Sequence, residues 1–221
     1  VRDDTVLKFF AVAITAYGMA TFEGPMLSLK NFNAFTHFTD WIVAHVHVGG
    51  LGWNGFMIFG MLYWLWPRLF GTKLYSQKLL NTHFWLGTLG IIVYVAPMYW
   101  AGFTQGLMWQ EFTPEGLLKY PNFLQTVVEL IPMYALRALG GSLYIIGMYL
   151  MVYNLWKTAQ QGSFVPYEDA EAPAMTRHHE PERGQLTWHR WIEARPMPFL
   201  ILSFVAVVIG SLVELVPSFV I

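Results

Sequence analysis

His45 and His47 stand two residues apart inside an apolar stretch that begins near residue 41. Each residue of an α-helix advances by about 100°, so positions i and i+2 project about 200° apart, on opposite sides. Two imidazoles so placed cannot close on one metal, but each can serve a metal of its own, one on either flank of the helix. Haem iron accepts a single neutral imidazole as axial ligand, so the spacing suits two haems flanking one helix. Gly49, Gly50 and Gly52 follow at once and remove side chains where a flat macrocycle or a neighbouring helix would come close. The bland alternative is a core histidine satisfied by a carbonyl. Another is a transporter or channel in which both histidines line a polar path and no haem is bound.

Other residues with chemical potential surround this pair. Glu23, beside Pro25, and His37 read as a proton path or as a hydrogen-bonded shell around haem carboxylates, while Asp40 reads as an interfacial residue touching water. Arg137, about a third of the way into a later apolar stretch, needs an anion. A haem propionate would suit its fixed fork, and an ion pair with Glu129 or Glu23 is the competing assignment. His83 reads as interfacial, and His178, His179 and His189 as solvated surface. No phosphate-cradling glycine loop and no Ser/His/Asp arrangement is present. The scattered basic residues give nucleic-acid binding no support.

The elements that must hold these residues are set by composition. Of 221 residues, 55% are hydrophobic and only 12% charged, with a mean hydropathy of +0.42. A soluble domain carries about 25% charged residues, so lipid is the expected solvent for much of this surface. With no cysteine there is no disulfide, no thiolate metal site and no covalent c-type haem attachment in this stretch. Nothing at the start resembles a signal peptide, and both ends read as cut, as in an internal fragment.

Five stretches are long and apolar enough to cross a bilayer: about 6–28, 41–66, 79–103, 126–156 and 197–217. The fold class expected is therefore all-α, a polytopic transmembrane bundle of about five helices. Trp64, Trp66, Trp85, Trp100 and Trp156 form an interfacial belt. Alternate loops divide the cations unequally. Arg2, Lys8, Arg68, Lys73, Lys78, Lys157, Arg177, Arg183, Arg190 and Arg195 lie on one side, and Lys30 and Lys119 on the other. That bias places the N-terminal end in the cytoplasm, loops 29–40 and 104–125 outside, and the C-terminal end outside. The polar segment 158–196 reads as a cytoplasmic linker between a four-helix piece, residues 1–157, and a single helix, residues 197–221.

The stretch Ala44-His45-Val46-His47-Val48-Gly49-Gly50-Leu51-Gly52-Trp53-Asn54-Gly55 closely resembles the tenth helix of the catalytic subunit of cbb3-type cytochrome c oxidases, the C-family of haem–copper oxidases. Upstream, Tyr17-Gly18-Met19-Ala20-Thr21-Phe22-Glu23-Gly24-Pro25-Met26 resembles its ninth helix. Downstream, Pro97-Met98-Tyr99-Trp100-Ala101-Gly102-Phe103 and Met151-Val152-Tyr153-Asn154-Leu155-Trp156 resemble later parts, so that residues 1–160 are covered. Ile209-Gly210-Ser211-Leu212-Val213-Glu214-Leu215-Val216-Pro217 resembles the anchor helix of the same oxidase's monohaem c subunit, which makes the chain a fusion of the two.

The resemblance implies a partial haem–copper oxidase subunit I fold in a bacterial inner membrane, periplasmic at its C-terminal end. It implies that His45 ligates haem b3, the high-spin site where oxygen binds, and that His47 ligates haem b. Arg137 would lie near haem propionates, and Glu23 and His37 near an outward proton route. Copper ligands would lie on helices outside this chain, and a c-type haem motif downstream of it. The implied reaction is reduction of O2 to water with electrons from cytochrome c and c-type cytochrome subunits, coupled to proton translocation. Nitric-oxide reductase, with iron in place of copper, is the nearest alternative.

Overall fold

The computed structural model describes residues 4–166 and 195–220, with backbone alone for 210–220. Its first unit is all-helical: α1 (Thr5–Ser28), α2 (Lys30–Thr36), α3 (Asp40–His47), a π-helical segment (Val48–Gly55), α4 (Phe56–Leu69), α5 (Gln77–Trp109) and α6 (Phe123–Gln160). The π-helical segment joins α3 and α4 into one continuous rod, Asp40–Leu69. That rod, α1, α5 and α6 are each long and apolar enough to cross a membrane. Apolar side chains such as Ile14, Ile92, Leu139 and Tyr149 remain exposed along these helices. A surface so rich in bare apolar groups suits lipid or further helices. The second unit contains α7 (Pro196–Val220), which covers the fifth predicted span. The linker residues 167–194, with His178, His179 and His189, lie outside the described residues, and so do the side chains of 210–217, on which most of the anchor-helix resemblance rests.

Polar caps set the helix starts. The Asp4 carboxylate accepts from the Val6 and Leu7 amides, Thr39 caps α3, Ser76 caps α5 and Asn122 caps α6, each meeting amides that no turn precedes. Two features depart from the expected pattern. The connection 29–40 folds partly into α2, and the second span is not uniformly α-helical. Four glycines fall between Val48 and Gly55, and the backbone there widens into π turns. The Tyr144 hydroxyl of α6 donates to the Leu51 carbonyl at 3.0 Å and pins that segment.

Glycines decide how closely the rods approach. A Cβ on Gly90 of α5 would sit 2.7 Å from the Tyr144 amide nitrogen, and one on Gly140 of α6 would meet the Tyr94 nitrogen, so here two backbones touch. Gly102 and Gly106 of α5 receive Trp41 and Phe35, and Gly52 receives Ala16 of α1. Such small-residue crossings are how membrane helices gain packing energy where the hydrophobic effect is absent. Gly90→Val should force α5 and α6 apart at the level of Tyr94, costing about 1–3 kcal/mol or more. Thermal denaturation of the protein in detergent reads this as a lower midpoint, and an unchanged midpoint would show that the crossing yields freely.

At the other end of this helix pair, Asn154 of α6, wholly buried, clasps the start of α5. Its Oδ1 accepts from the Ser76 amide at 3.0 Å and its Nδ2 donates to the Ser76 carbonyl at 2.9 Å. The Trp66 indole donates to the Leu155 carbonyl at 2.9 Å, which ties α4 to the same turn.

Candidate functional site

His45 and His47 occupy the last turn of α3, immediately before the π-helical segment. Val46 between them is exposed and Gly50 one turn on is open, with nothing within 4 Å of where its Cβ would be. The two imidazoles flank this bare face and engage different helices. His45 reaches α1, where its Nδ1 lies 2.9 Å from Glu23 Oε2. His47 faces α5, where its Nε2 lies 3.2 Å from the Tyr94 hydroxyl, and its Nδ1 lies 2.6 Å from the Val43 carbonyl on its own helix.

These partners fix the tautomers. A carboxylate and a carbonyl oxygen can only accept, so both Nδ1 atoms donate, and in the neutral imidazole that leaves Nε2 as the atom with a lone pair. A second donor holds the Glu23 carboxylate in place, since the Tyr99 hydroxyl of α5 bonds its other oxygen. Glu23 is 7% exposed, and both of its carboxyl oxygens are engaged in a site nearly closed to solvent. Trp41 stacks on the His45 ring at 6.2 Å and 17°, and also packs on Tyr99 at 5.0 Å. The imidazole is thus oriented by a carboxylate, an indole and a phenol that come from three elements.

A second polar group gathers at the start of α3. Asp40, expected at the interface, is instead buried: its Oδ2 accepts from Gln105 Nε2 at 2.9 Å and from the Tyr134 hydroxyl at 2.8 Å. Arg137 approaches Asp40 Oδ1 at 4.0 Å, lies over the Tyr134 ring at 4.8 Å and reaches Met98 Sδ at 3.6 Å. The ion-pair partner in this structure is therefore Asp40, not Glu129 or Glu23, because Arg137 faces the turn where α3 begins. Asp40→Ala would leave the buried Gln105 amide, the half-buried Tyr134 hydroxyl and a guanidinium without their acceptor. The expected loss is about 2–4 kcal/mol, read as a lower thermal midpoint in detergent, with Asp40→Asn losing less.

Of the residues singled out from sequence, Glu23 and His45 come together, His47 lies two residues on and faces α5, and Arg137 lies in the Asp40 group. His37 is exposed with its ring against Phe38, which has a left-handed φ of 62°. His83 is not interfacial but wholly buried. Tyr94 and Tyr99 were missed, since aromatic residues in an apolar helix carry no polar signature of their own. Their separation by five residues, with Trp41 four before His45, is visible only once a partner helix is known.

A family model described as cytochrome c and quinol oxidase polypeptide I matches residues 1–143. The chain is 50% identical over 162 residues to the bacteroid cytochrome c oxidase subunit 1 homologue of Bradyrhizobium diazoefficiens, covering 73% of this chain and 29% of that one. It is 51% identical over 158 residues to cytochrome c oxidase subunit 1 of Rhodobacter capsulatus, covering 71% and 30%. With the cbb3-type cytochrome c oxidase subunit CcoN1 of Stutzerimonas stutzeri it shares 42% identity over 170 residues, covering 76% and 36%. The chain thus spans about a third of the length of these relatives. A chain of a haem–copper terminal oxidase dimer, solved by cryo-electron microscopy, superposes with a TM-score of 0.57 at 20% identity, covering 76% of this chain and 31% of that one, a likeness of fold. A two-histidine turn set in four span-length helices, with the family match running through it, makes this chain a member of the cytochrome c and quinol oxidase polypeptide I family.

Proposed function

We propose that His45 and His47 are the axial ligands of two haems, His45 of a high-spin haem b3 and His47 of a low-spin haem b, within the catalytic subunit of a cbb3-type terminal oxidase. The observation that carries this reading is the shared state of the two imidazoles. Each has its Nδ1 engaged by an acceptor oxygen, which in the neutral imidazole leaves Nε2 as the nitrogen available to a metal. Metal-bound histidines are held in this way, with the distal ring nitrogen bonded to a carboxylate or carbonyl that orients the ring and raises its basicity.

The residues present fit the group. An iron on His47 would take the lone pair that the Tyr94 hydroxyl now contacts, and the bare face at Val46 and Gly50 leaves room beside the ring. Bound haem supplies a one-electron iron couple, and with copper held by helices outside this chain the assembly joins four electrons and four protons to O2 to give two waters. This chain's own residues orient and insulate. Glu23 keeps the His45 proton on Nδ1 and Tyr99 keeps Glu23 in register. Arg137, with one terminus shared by Asp40 and Met98, retains donors for a haem propionate. We treat Glu23 as a positioning residue. His37, exposed at the turn before α3, is the better placed of the two for proton exchange with solvent.

In the same reading, cytochrome c and c-type cytochrome subunits supply electrons, and the Arg- and Lys-rich side lies in the cytoplasm. The helix after residue 196 is the anchor of a fused c-haem subunit. The similarity to oxidase relatives favours this over a nitric-oxide reductase. A reduced-minus-oxidised spectrum of the full-length protein should show b-type bands from two haems, and a spectrum without b-type bands would sink the proposal. Copper-ligand histidines encoded before residue 1, and a Cys-x-x-Cys-His motif encoded after residue 221, test the fusion.

A further inference from the structure

Near the turn between α4 and α5, far along α5 from Tyr94, His83 has no solvent exposure at all. Eleven residues separate it from Tyr94, about 16 Å of helix, so it belongs to neither the His45 nor the His47 site. Its Nδ1 lies 3.1 Å from the Tyr63 hydroxyl, and its Nε2 is buried with no hydrogen-bond partner. The ring sits among Phe9 at 5.1 Å, Phe59 at 4.8 Å and Tyr63 at 5.7 Å between centroids. Gly147 of α6 makes the space, since a Cβ there would lie 3.0 Å from the imidazole. Tyr63 also lines a cleft of about 1280 Å³ whose walls include Asp4, Arg68, Lys73, Gln77 and Asn81.

We propose that His83 is a proton-binding site, filled and emptied through the Tyr63 hydroxyl from the water of this cleft. Burying an imidazole nitrogen without a partner is costly, and a phenylalanine would fill the same cage without that cost. What the cage offers an imidazolium is the Tyr63 oxygen and a set of aromatic rings. Three aromatic rings lie within about 6 Å of the imidazole, two tilted and one at a T-shaped angle, and a ring that presents its face attracts a cation. The groups that pack on the ring are Phe9 from α1, Phe59 and Tyr63 from α4, Gly87 on its own helix and Gly147 from α6. Tyr63 is the titratable one among them, and it is also engaged by Asn154. Asp4, Arg68 and Lys73 lie beyond it in the cleft.

In the tautomer with its proton on Nε2, Nδ1 accepts from Tyr63. Filling then breaks the Tyr63 O–H bond as the Nδ1–H bond forms, while the phenol oxygen takes a proton from a hydronium in the cleft. The products are an imidazolium, a restored phenol and a water molecule, and emptying runs the same exchange backwards. A site of this kind would exchange protons with the Arg- and Lys-rich side of the membrane. It goes beyond the haem assignment and does not depend on it.

The test is infrared difference spectroscopy of the whole oxidase, carrying ring-labelled histidine, as buffer is switched between about pH 8 and about pH 4. The expected result is an imidazolium band in the parent protein that is lost in His83→Phe and that appears roughly tenfold more slowly in Tyr63→Phe. Superimposable spectra for the parent and His83→Phe would overturn the proposal. If His83→Phe fails to assemble, Tyr63→Phe decides, because it removes one hydroxyl and keeps the ring. An unchanged rate then overturns the relay, and a slowed one supports it. This readout involves no turnover and no haem band. Absence of b-type haem would sink the functional reading and leave the result at His83 standing.

Discussion

His47→Ala in the full-length protein should abolish the low-spin b-type bands and leave the high-spin site able to bind carbon monoxide, whereas His45→Ala should do the reverse. The two imidazoles address separate helices, Glu23 of α1 on one side and Tyr94 of α5 on the other, so each loss should be confined to its own haem. Electron delivery to oxygen should fall at least about 100-fold in either variant, because altering even an outer partner of a metal ligand costs 10–100-fold. The measurement is a pair of reduced-minus-oxidised spectra, one with and one without carbon monoxide. If both substitutions removed the same bands, the assignment of one metal to each histidine would be wrong. Tyr94→Phe serves as the control. It removes the hydroxyl that contacts Nε2 but no ligand, so both haems should remain.

Glu23→Gln should raise the midpoint potential of the high-spin haem by roughly 60 mV or more, a tenfold change for a one-electron couple. An imidazole that donates Nδ1–H to a carboxylate has a more electron-rich Nε2, which favours the oxidised iron. Glu23 is nearly enclosed, and Tyr99 fixes its second oxygen, so little water is available to weaken that effect. A glutamine offers one neutral acceptor oxygen in place of two charged ones, and the donor strength of His45 should fall. Redox titration followed at the high-spin bands reads the shift, and resonance Raman should show a weaker iron–histidine stretch. The low-spin potential should stay in place, because His47 is held by the Val43 carbonyl instead. A high-spin potential that did not move would mean that the 2.9 Å contact does not tune the ligand.

Much of this protein is legible in its residues because the governing constraints are local. Twenty or so apolar residues must be a helix in lipid, so the four span-length rods and α7 could be located from sequence, with α5 running on to Trp109, six residues past its expected end. The His45–Val46–His47 step could be read as facing two different neighbours because helical rotation per residue is fixed. The cap residues Asp4, Ser76 and Asn122 mark helix starts for an equally local reason, since their oxygens meet amides only two or three residues on.

The rest depended on which rods touch, and no local rule states that. His83 and Asp40 both looked like interfacial residues by their nearness to the ends of apolar stretches. Each is buried because a neighbouring helix covers it: α1, α4 and α6 close over His83, and Gln105 and Tyr134 close over Asp40. Arg137 needed an anion on any reading, yet only the packing of α6 against the start of α3 selects Asp40. Three glycines following His47 promised close approach without saying to what. In the folded chain Gly52 meets Ala16, Gly49 lies loosely by Ala20 and Gly50 faces open space.

The sequence by itself determined the apolar rods, the two-faced histidine pair and the family, because helical geometry and the exclusion of water from lipid act on neighbours in the chain. Only the tertiary structure decided that Glu23 and Tyr99 hold His45, that Tyr94 meets His47, and that Tyr63 holds His83. Hydrogen bonds between residues tens of positions apart exist only where small residues let one backbone lie against another, and that choice is made by packing.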